Sequence, residues 1–186
     1  MDKFHNKYRI PSARVSWWDY GWSALYFVTI CTKDKEYFFG DIINEKMQLS
    51  EIGEIVKAEW LKTFELRPDM NLTMYEYIIM PNHFHAIIGI GKNQYNTPIV
   101  ETQCIASLQS EQSKNRFAPQ SKNLASIIRG FKIGVTKSAR LVNPCFAWQT
   151  RFHDHIIRNH KSYINIANYI ITNPQKWEND TFYSSF

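Results

Sequence analysis

The sequence predicts an α+β sandwich, an antiparallel sheet with helices gathered on one side, and three observations carry that prediction. Runs at 23–31, 71–80 and 82–90 are rich in β-branched and aromatic residues, the composition of strands. Apolar residues recur at helical spacing after Ser50, after Ser121 and after Asn159. The order is strand, short strands, helix, two strands, helix, strand, helix, with no internal repeat, and such a mixture packs as α+β.

The 186 residues read as one domain over 1–186, long enough to bury a core. Two stretches depart from the pattern, an aromatic and basic arm at 1–22 and a long irregular loop at 91–120. Hydrophobic residues at 44% and aromatics at 15% mark a globular chain. No apolar run reaches membrane-spanning length and the first residues are not a signal segment, so a cytoplasmic protein that meets no membrane is expected. Cys31, Cys104 and Cys145 are scattered and read as reduced thiols. The net charge is +5, and the excess is uneven: from Lys92 to His160 ten Lys and Arg face three acids. A polyanionic partner fits that distribution.

Taken in order, the arm carries Arg9, Arg14, Trp17, Trp18, Tyr20 and Trp22. It is read first as packed against the body and second as a surface for stacking unpaired bases. Ser23 to Cys31 is a strand, Lys33-Asp34-Lys35 a turn, and 37–43 and 46–49 short strands about Asn44-Glu45. Ser50 caps a helix carrying Ile52, Ile55, Val56, Trp60 and Phe64, which ends before Pro68. Asn71 to Met80 and the following strand pair antiparallel through the tight link Pro81-Asn82. Ser121 is expected to cap a helix whose inner face is Leu124, Ile127, Ile128, Phe131 and Val135. Lys122, Arg129, Lys132, Lys137 and Arg140 lie on it with no acid among them, so phosphate contacts are expected there. Trp148 to Ile157 reads as the last strand, and Asn159 caps a helix over about 160–173 that Pro174 stops.

Met80-Pro-Asn-His-Phe-His-Ala-Ile-Ile-Gly-Ile90 is the stretch with the clearest chemistry. Strand alternation sends His83 and His85 to one face and Phe84 and Ala86 to the other. Two imidazoles so placed can share a metal ion, or can be an ordinary hydrogen-bonded pair. In the final helix Tyr169 and Asn173 are i and i+4 and share a face. Alone, they fit a core aromatic and a C-cap equally well. Together with a divalent ion on two histidines and an amide oxygen, a tyrosine can attack a phosphodiester and keep the bond energy in a phosphotyrosine link. No nucleotide-binding glycine loop competes with that reading.

His83-Phe84-His85 with Tyr169 and a polar amide four residues on resembles the HUH single-tyrosine transposases, and above all the REP-associated tyrosine transposases. The resemblance runs through Tyr26-Phe-Val-Thr-Ile30, Met80-Pro-Asn-His-Phe-His85, Ile127-Ile-Arg-Gly-Phe-Lys132, Trp148-Gln149, Asp154-His-Ile-Ile-Arg158 and Tyr169-Ile-Ile-Thr-Asn-Pro174. It implies a ferredoxin-like, RRM-like antiparallel sheet with helices mainly on one face and the histidines on a central strand. It implies an endonuclease and strand transferase that uses Mg²⁺ or Mn²⁺ on single-stranded DNA bearing a hairpin; ligand softness alone points to zinc. By that resemblance Tyr169 is the nucleophile and His83, His85 and Asn173 are metal ligands. Insertion-sequence relatives carry glutamine where this chain has Asn173. Arg129, Lys132, Lys122, Lys137 and Arg158 are the DNA-binding candidates, and His153 and His155 are reserve ligands or supports. A monomer acting in cis is expected ahead of a homodimer. The competing class is a nucleic-acid-binding module of the same fold without cleavage; a histidine-triad hydrolase ranks last because position 87 is Ile87.

Overall fold

The computed structural model describes residues 17–97 and 121–183, together with the backbone of two short paired strands, β1 (Lys3–Phe4) and β2 (Lys7–Tyr8). The chain continues through β3 (Ala24–Cys31), β4 (Gly40–Ile43), β5 (Lys46–Leu49), α1 (Glu51–Glu65), β6 (Leu72–Met80), β7 (His83–Ile90), α2 (Leu124–Val142), β8 (His153–Ile157) and α3 (His160–Thr172). Most of the predicted loop lies outside the described residues, and so does most of the arm. The described part of the arm packs on the body: Trp18 donates its indole N–H to the Tyr26 hydroxyl at 3.2 Å, and Tyr26 donates to Trp22 O at 3.0 Å.

β6, β7, β3 and β8 form one antiparallel sheet in that spatial order. The neighbours of β7 are β6 and β3, so α1 carries the chain from β3 across to β6, and α2 carries it from β7 across to β8. This is the split βαβ arrangement of a ferredoxin-like fold, as expected. β4 and β5 are an inserted hairpin whose turn residues, Asn44 and Glu45, have φ of 51° and 60°. Positive φ at both positions is what a two-residue hairpin with matched twist requires. Gly40 begins the hairpin at φ 126°, where a Cβ would lie 2.0 Å from Gln48 O.

Alternation along β7 divides the molecule. Phe84, Ala86, Ile88 and Ile90 join α1 and α2 in the main core, where the Trp60 and Phe131 rings lie 5.0 Å and 5.4 Å from Phe84. Each such aromatic pair adds about 0.5–1.5 kcal/mol beyond the area it buries. The other face carries His83, His85 and Ile87. There α3 packs Ala167 and Ile170 against Ile87 and Ile157. Two helices thus share one face, and the third covers the histidine face.

Two boundaries differ from expectation. Asn123, not Ser121, caps α2: its Oδ1 accepts from Ser126 N at 3.0 Å, and Ser126 Oγ accepts from Asn123 N at 3.1 Å. The left-handed Lys122, φ 57°, turns the chain between Ser121 and that cap. The last strand spans His153–Ile157 only. Lys132 Nζ donates to Gln149 O at 2.6 Å and Arg151 O at 3.4 Å, tying that approach to α2, and Trp148 meets Thr32 in an isolated bridge. Among the described residues no helix is long and apolar enough to cross a membrane.

Candidate active site

Strand alternation brings His83 and His85 together with ring centroids 4.5 Å apart, both essentially inaccessible at 0% and 1% exposure. Each has its second ring nitrogen held. Asn82 donates through Nδ2 to Lys35 O at 3.1 Å and Phe182 O at 2.8 Å, which fixes its amide with Oδ1 as acceptor. His83 Nδ1, 2.9 Å from Asn82 Oδ1, is therefore the protonated nitrogen. Nε2 keeps the lone pair, and it is buried with no hydrogen-bond partner among the described residues. On β3, Thr29 Oγ1 lies 2.8 Å from His85 Nδ1, while His85 Nε2 faces the Tyr169 hydroxyl at 3.1 Å. Burial first, and the charge of Lys35 second, push the His83 imidazole down to about 3. Burial and then neighbouring His83 hold His85 well below its ordinary value. Both rings are neutral at neutral pH, the form that ligates metal.

Helix α3 delivers the other half. Its apolar stripe (Tyr163, Ile166, Ala167 and Ile170) seats it on the sheet, and Tyr169 projects beside that stripe at 40% exposure. The Tyr169 ring is 5.2 Å from His85 and packs edge-on to Phe27 at 6.3 Å. Burial, followed by the Asp180 carboxylate, raises the phenol above its ordinary value, against a hydrogen bond from Asn173 that lowers it. Asn173 is buried; its Nδ2 donates to Asp180 Oδ2 at 3.2 Å, and its Oδ1 is a second buried acceptor with no partner among the described residues. An orphaned buried acceptor costs about 1–3 kcal/mol, and a cation would satisfy two of them here. Among the described residues no three His, Cys, Asp or Glu side chains cluster as a metal cage, and Asn173 Oδ1 is a buried amide acceptor available beside the histidines. The Phe182 ring lies 4.5 Å from His83 and covers it.

The basic candidates are more dispersed. Lys122 is bonded to the Asp69 carboxylate, and its ammonium also lies 4.9 Å from the Tyr95 ring centre. Lys132 holds the 149 and 151 carbonyls. Both ammonium groups are thus engaged within the protein. Arg129 and Lys137 line an outer groove of α2, and Arg158 sits 6.0 Å over the Trp17 ring. His153 and His155 are exposed on β8, beside the histidine pair rather than within it. Thr29, Asn82, Asp180 and Phe182 are site residues that sequence reasoning did not assign. Thr29 and Asn82 lie within the Tyr26–Ile30 and Met80–His85 motifs and were findable there; Asp180 and Phe182 carry no local signal.

No family model matches the chain. An uncharacterized protein of Haemophilus influenzae is 39% identical over 173 residues, 92% of this chain and 92% of that one. A second protein of the same organism, provisionally named a REP-associated tyrosine transposase, is 29% identical over 159 residues, 85% of this chain and 74% of that one. The solved structure of a REP-associated tyrosine transposase bound to a REP hairpin matches with a TM-score of 0.56 at 18% identity. That match covers 90% of this chain and 74% of that chain, a likeness of fold.

Proposed function

For a chain that belongs to a REP-associated tyrosine transposase-like family, we propose metal-dependent cutting and rejoining of single-stranded DNA at hairpin-bearing sites, with Tyr169 as nucleophile. The observation that carries this reading is the meeting, within one chain, of the Tyr169 hydroxyl and His85 Nε2 at 3.1 Å, beside two buried acceptors that lack partners among the described residues. That meeting in cis supports a monomer.

His83 Nε2, His85 Nε2 and Asn173 Oδ1 would hold Mg²⁺ or Mn²⁺. When bound, the ion supplies charge withdrawal from a non-bridging phosphate oxygen, making phosphorus electrophilic. Asn82 and Thr29 orient the two imidazoles, the role that outer hydrogen-bond partners play for histidine ligands. Asp180 engages the Asn173 Nδ2, which leaves Oδ1 as the group available to ligate. With His85 Nε2 occupied, the Tyr169 O–H turns to Asp180. Tyr169 Oη then attacks phosphorus, the bond to the 3′-oxygen breaks, and a 5′-phosphotyrosine forms. The phenolic proton passes by way of Asp180 to the departing 3′-oxygen. Attack by a free 3′-hydroxyl reverses these steps and restores the phosphodiester without a nucleotide cofactor. Arg129, Lys137 and Arg158 are the proposed phosphate contacts, while Lys122 and Lys132 shape the loops they hold.

Nicking of hairpin-bearing single strands, with and without Mn²⁺, tests the reading. Wild type should nick only with metal, and His83→Ala and Asn173→Ala should lose at least about 100-fold. Undiminished nicking by both variants would remove the metal site from the mechanism. Tight binding without nicking would favour the cleavage-silent binding module.

A further inference from the structure

We propose that the cleft between β8 and α3 is a nucleotide subsite. It takes the nucleotide of the single strand next to the phosphodiester at Tyr169, with the base against Phe27 and Ile166 and the phosphate at Lys161, Ser162 and Asn165. The inference rests on the DNA-processing reading and deepens it.

The cleft is open and has a volume of about 480 Å³, within the range that accommodates a small organic ligand. Strand register places it on the catalytic face. Thr29 pairs with His85 on one side and His153 on the other, and in the next row but one Phe27 pairs with Ile87 and His155. Phe27 is shared between the two, 5.3 Å from the His85 ring and 6.3 Å from Tyr169 while also lining the cleft. On α3, Ser162, Asn165, Ile166 and Tyr169 follow at i, i+3, i+4 and i+7 and make one stripe. Asn165 thus lies about 6 Å along the helix from the nucleophile. A strand whose phosphodiester sits at the Tyr169 hydroxyl has its neighbouring nucleotide within reach of this stripe.

The chemistry of the walls matches that occupant. Phe27 and Ile166 offer an apolar surface, and the exposed His153 and His155 rings add faces on which a base can stack. Among the described residues no carboxylate lines the cleft, and the first turn of α3 contains no acid. Lys161 and the positive end of the α3 dipole therefore meet a phosphate without opposition. His153 and His155 serve this subsite from β8, across β3 from the metal-ligating pair.

The test uses a fluorescently labelled single-stranded oligothymidylate of about 20 nucleotides, long enough to span a single-strand binding site, and anisotropy over a salt series. The variants are a His155→Glu, Lys161→Glu double substitution and Lys46→Glu on the inserted hairpin as control. The double variant should bind about tenfold more weakly, and its log–log salt slope should fall by about 0.7 for each phosphate that is no longer neutralised. Lys161→Arg should bind like wild type. Unchanged affinity and slope in the double variant, or an equal loss in Lys46→Glu, would overturn the subsite while leaving the cleavage reading intact. Failure of wild type to bind the strand at all would also overturn the subsite, whereas the cleavage reading is decided separately by nicking of hairpin-bearing strands.

Discussion

His83 ties the stability of this protein to pH. Its imidazole is fully buried, and burial with the nearby charge of Lys35 holds it down to about 3, against 6.5 for an unperturbed histidine. The folded-state value is depressed, so the stabilising effect of the neutral ring is fully present above about pH 6.5. It is lost as pH falls from there toward 3, because over that window the unfolded chain binds a proton that the folded chain refuses. The loss runs at about 1.4 kcal/mol per pH unit, or about 2 kcal/mol at pH 5 from this one residue. His85, depressed by the same burial, acts with the same sign. Against a total stability of about 5–15 kcal/mol that is a large share. Urea unfolding of the metal-free protein at pH 7, 6 and 5 should show a falling midpoint, and His83→Gln should flatten the fall. Parallel pH profiles for wild type and His83→Gln would refute the claim that this ring is neutral and sequestered.

Three further outcomes follow from the surroundings of the pair. Asn82→Ala removes the acceptor of His83 Nδ1–H and should weaken Mn²⁺ binding about 10–100-fold by calorimetry, whereas Asn82→Asp should retain more of it; equal losses would deny Asn82 its orienting role. Phe182→Ala uncovers the His83 ring and should speed Mn²⁺ association in stopped-flow mixing, with an unchanged rate arguing that the ring is no barrier. Phe84→Ala, on the opposite face of the same strand, should cost about 3–5 kcal/mol at every pH without altering the pH slope. A loss below about 1 kcal/mol would contradict the packing of Trp60 and Phe131 on that ring.

How far the sequence was legible depended on the range of the signal. Alternation in 83–90 is enough by itself to separate the histidines from Phe84, because period two is a local property of a strand. Ser50 and Asn159 were readable as caps for the same reason: each accepts from the backbone three residues on. Ser121 was misplaced because Asn123 competes for the same role, and the capping box with Ser126 decides between them. Tyr169 and Asn173 were legible as a pair on one helix face, but nothing local says that the face meets His85, 84 residues away. Thr29 reaches His85 across 56 residues, and Asn82 reaches Phe182 across 100. Such partners are set by sheet order and by the path of the C-terminal segment. The helix α2 charges show the same limit. An all-positive surface was a fair inference from composition, yet the Lys132 ammonium holds loop carbonyls and Lys122 holds Asp69.

The covalent intermediate is the most direct test of the account. Wild-type protein incubated with hairpin-bearing single strands and Mn²⁺ should give a species that survives denaturing electrophoresis, and mass spectrometry should place the nucleotide on the peptide containing Tyr169. Tyr169→Phe should bind the same strands within about twofold of wild type and form no adduct, since it removes one hydroxyl and leaves the ring packing in place. An adduct that persists in Tyr169→Phe, or none from wild type on strands that it binds tightly, would contradict the claim that this tyrosine cuts DNA.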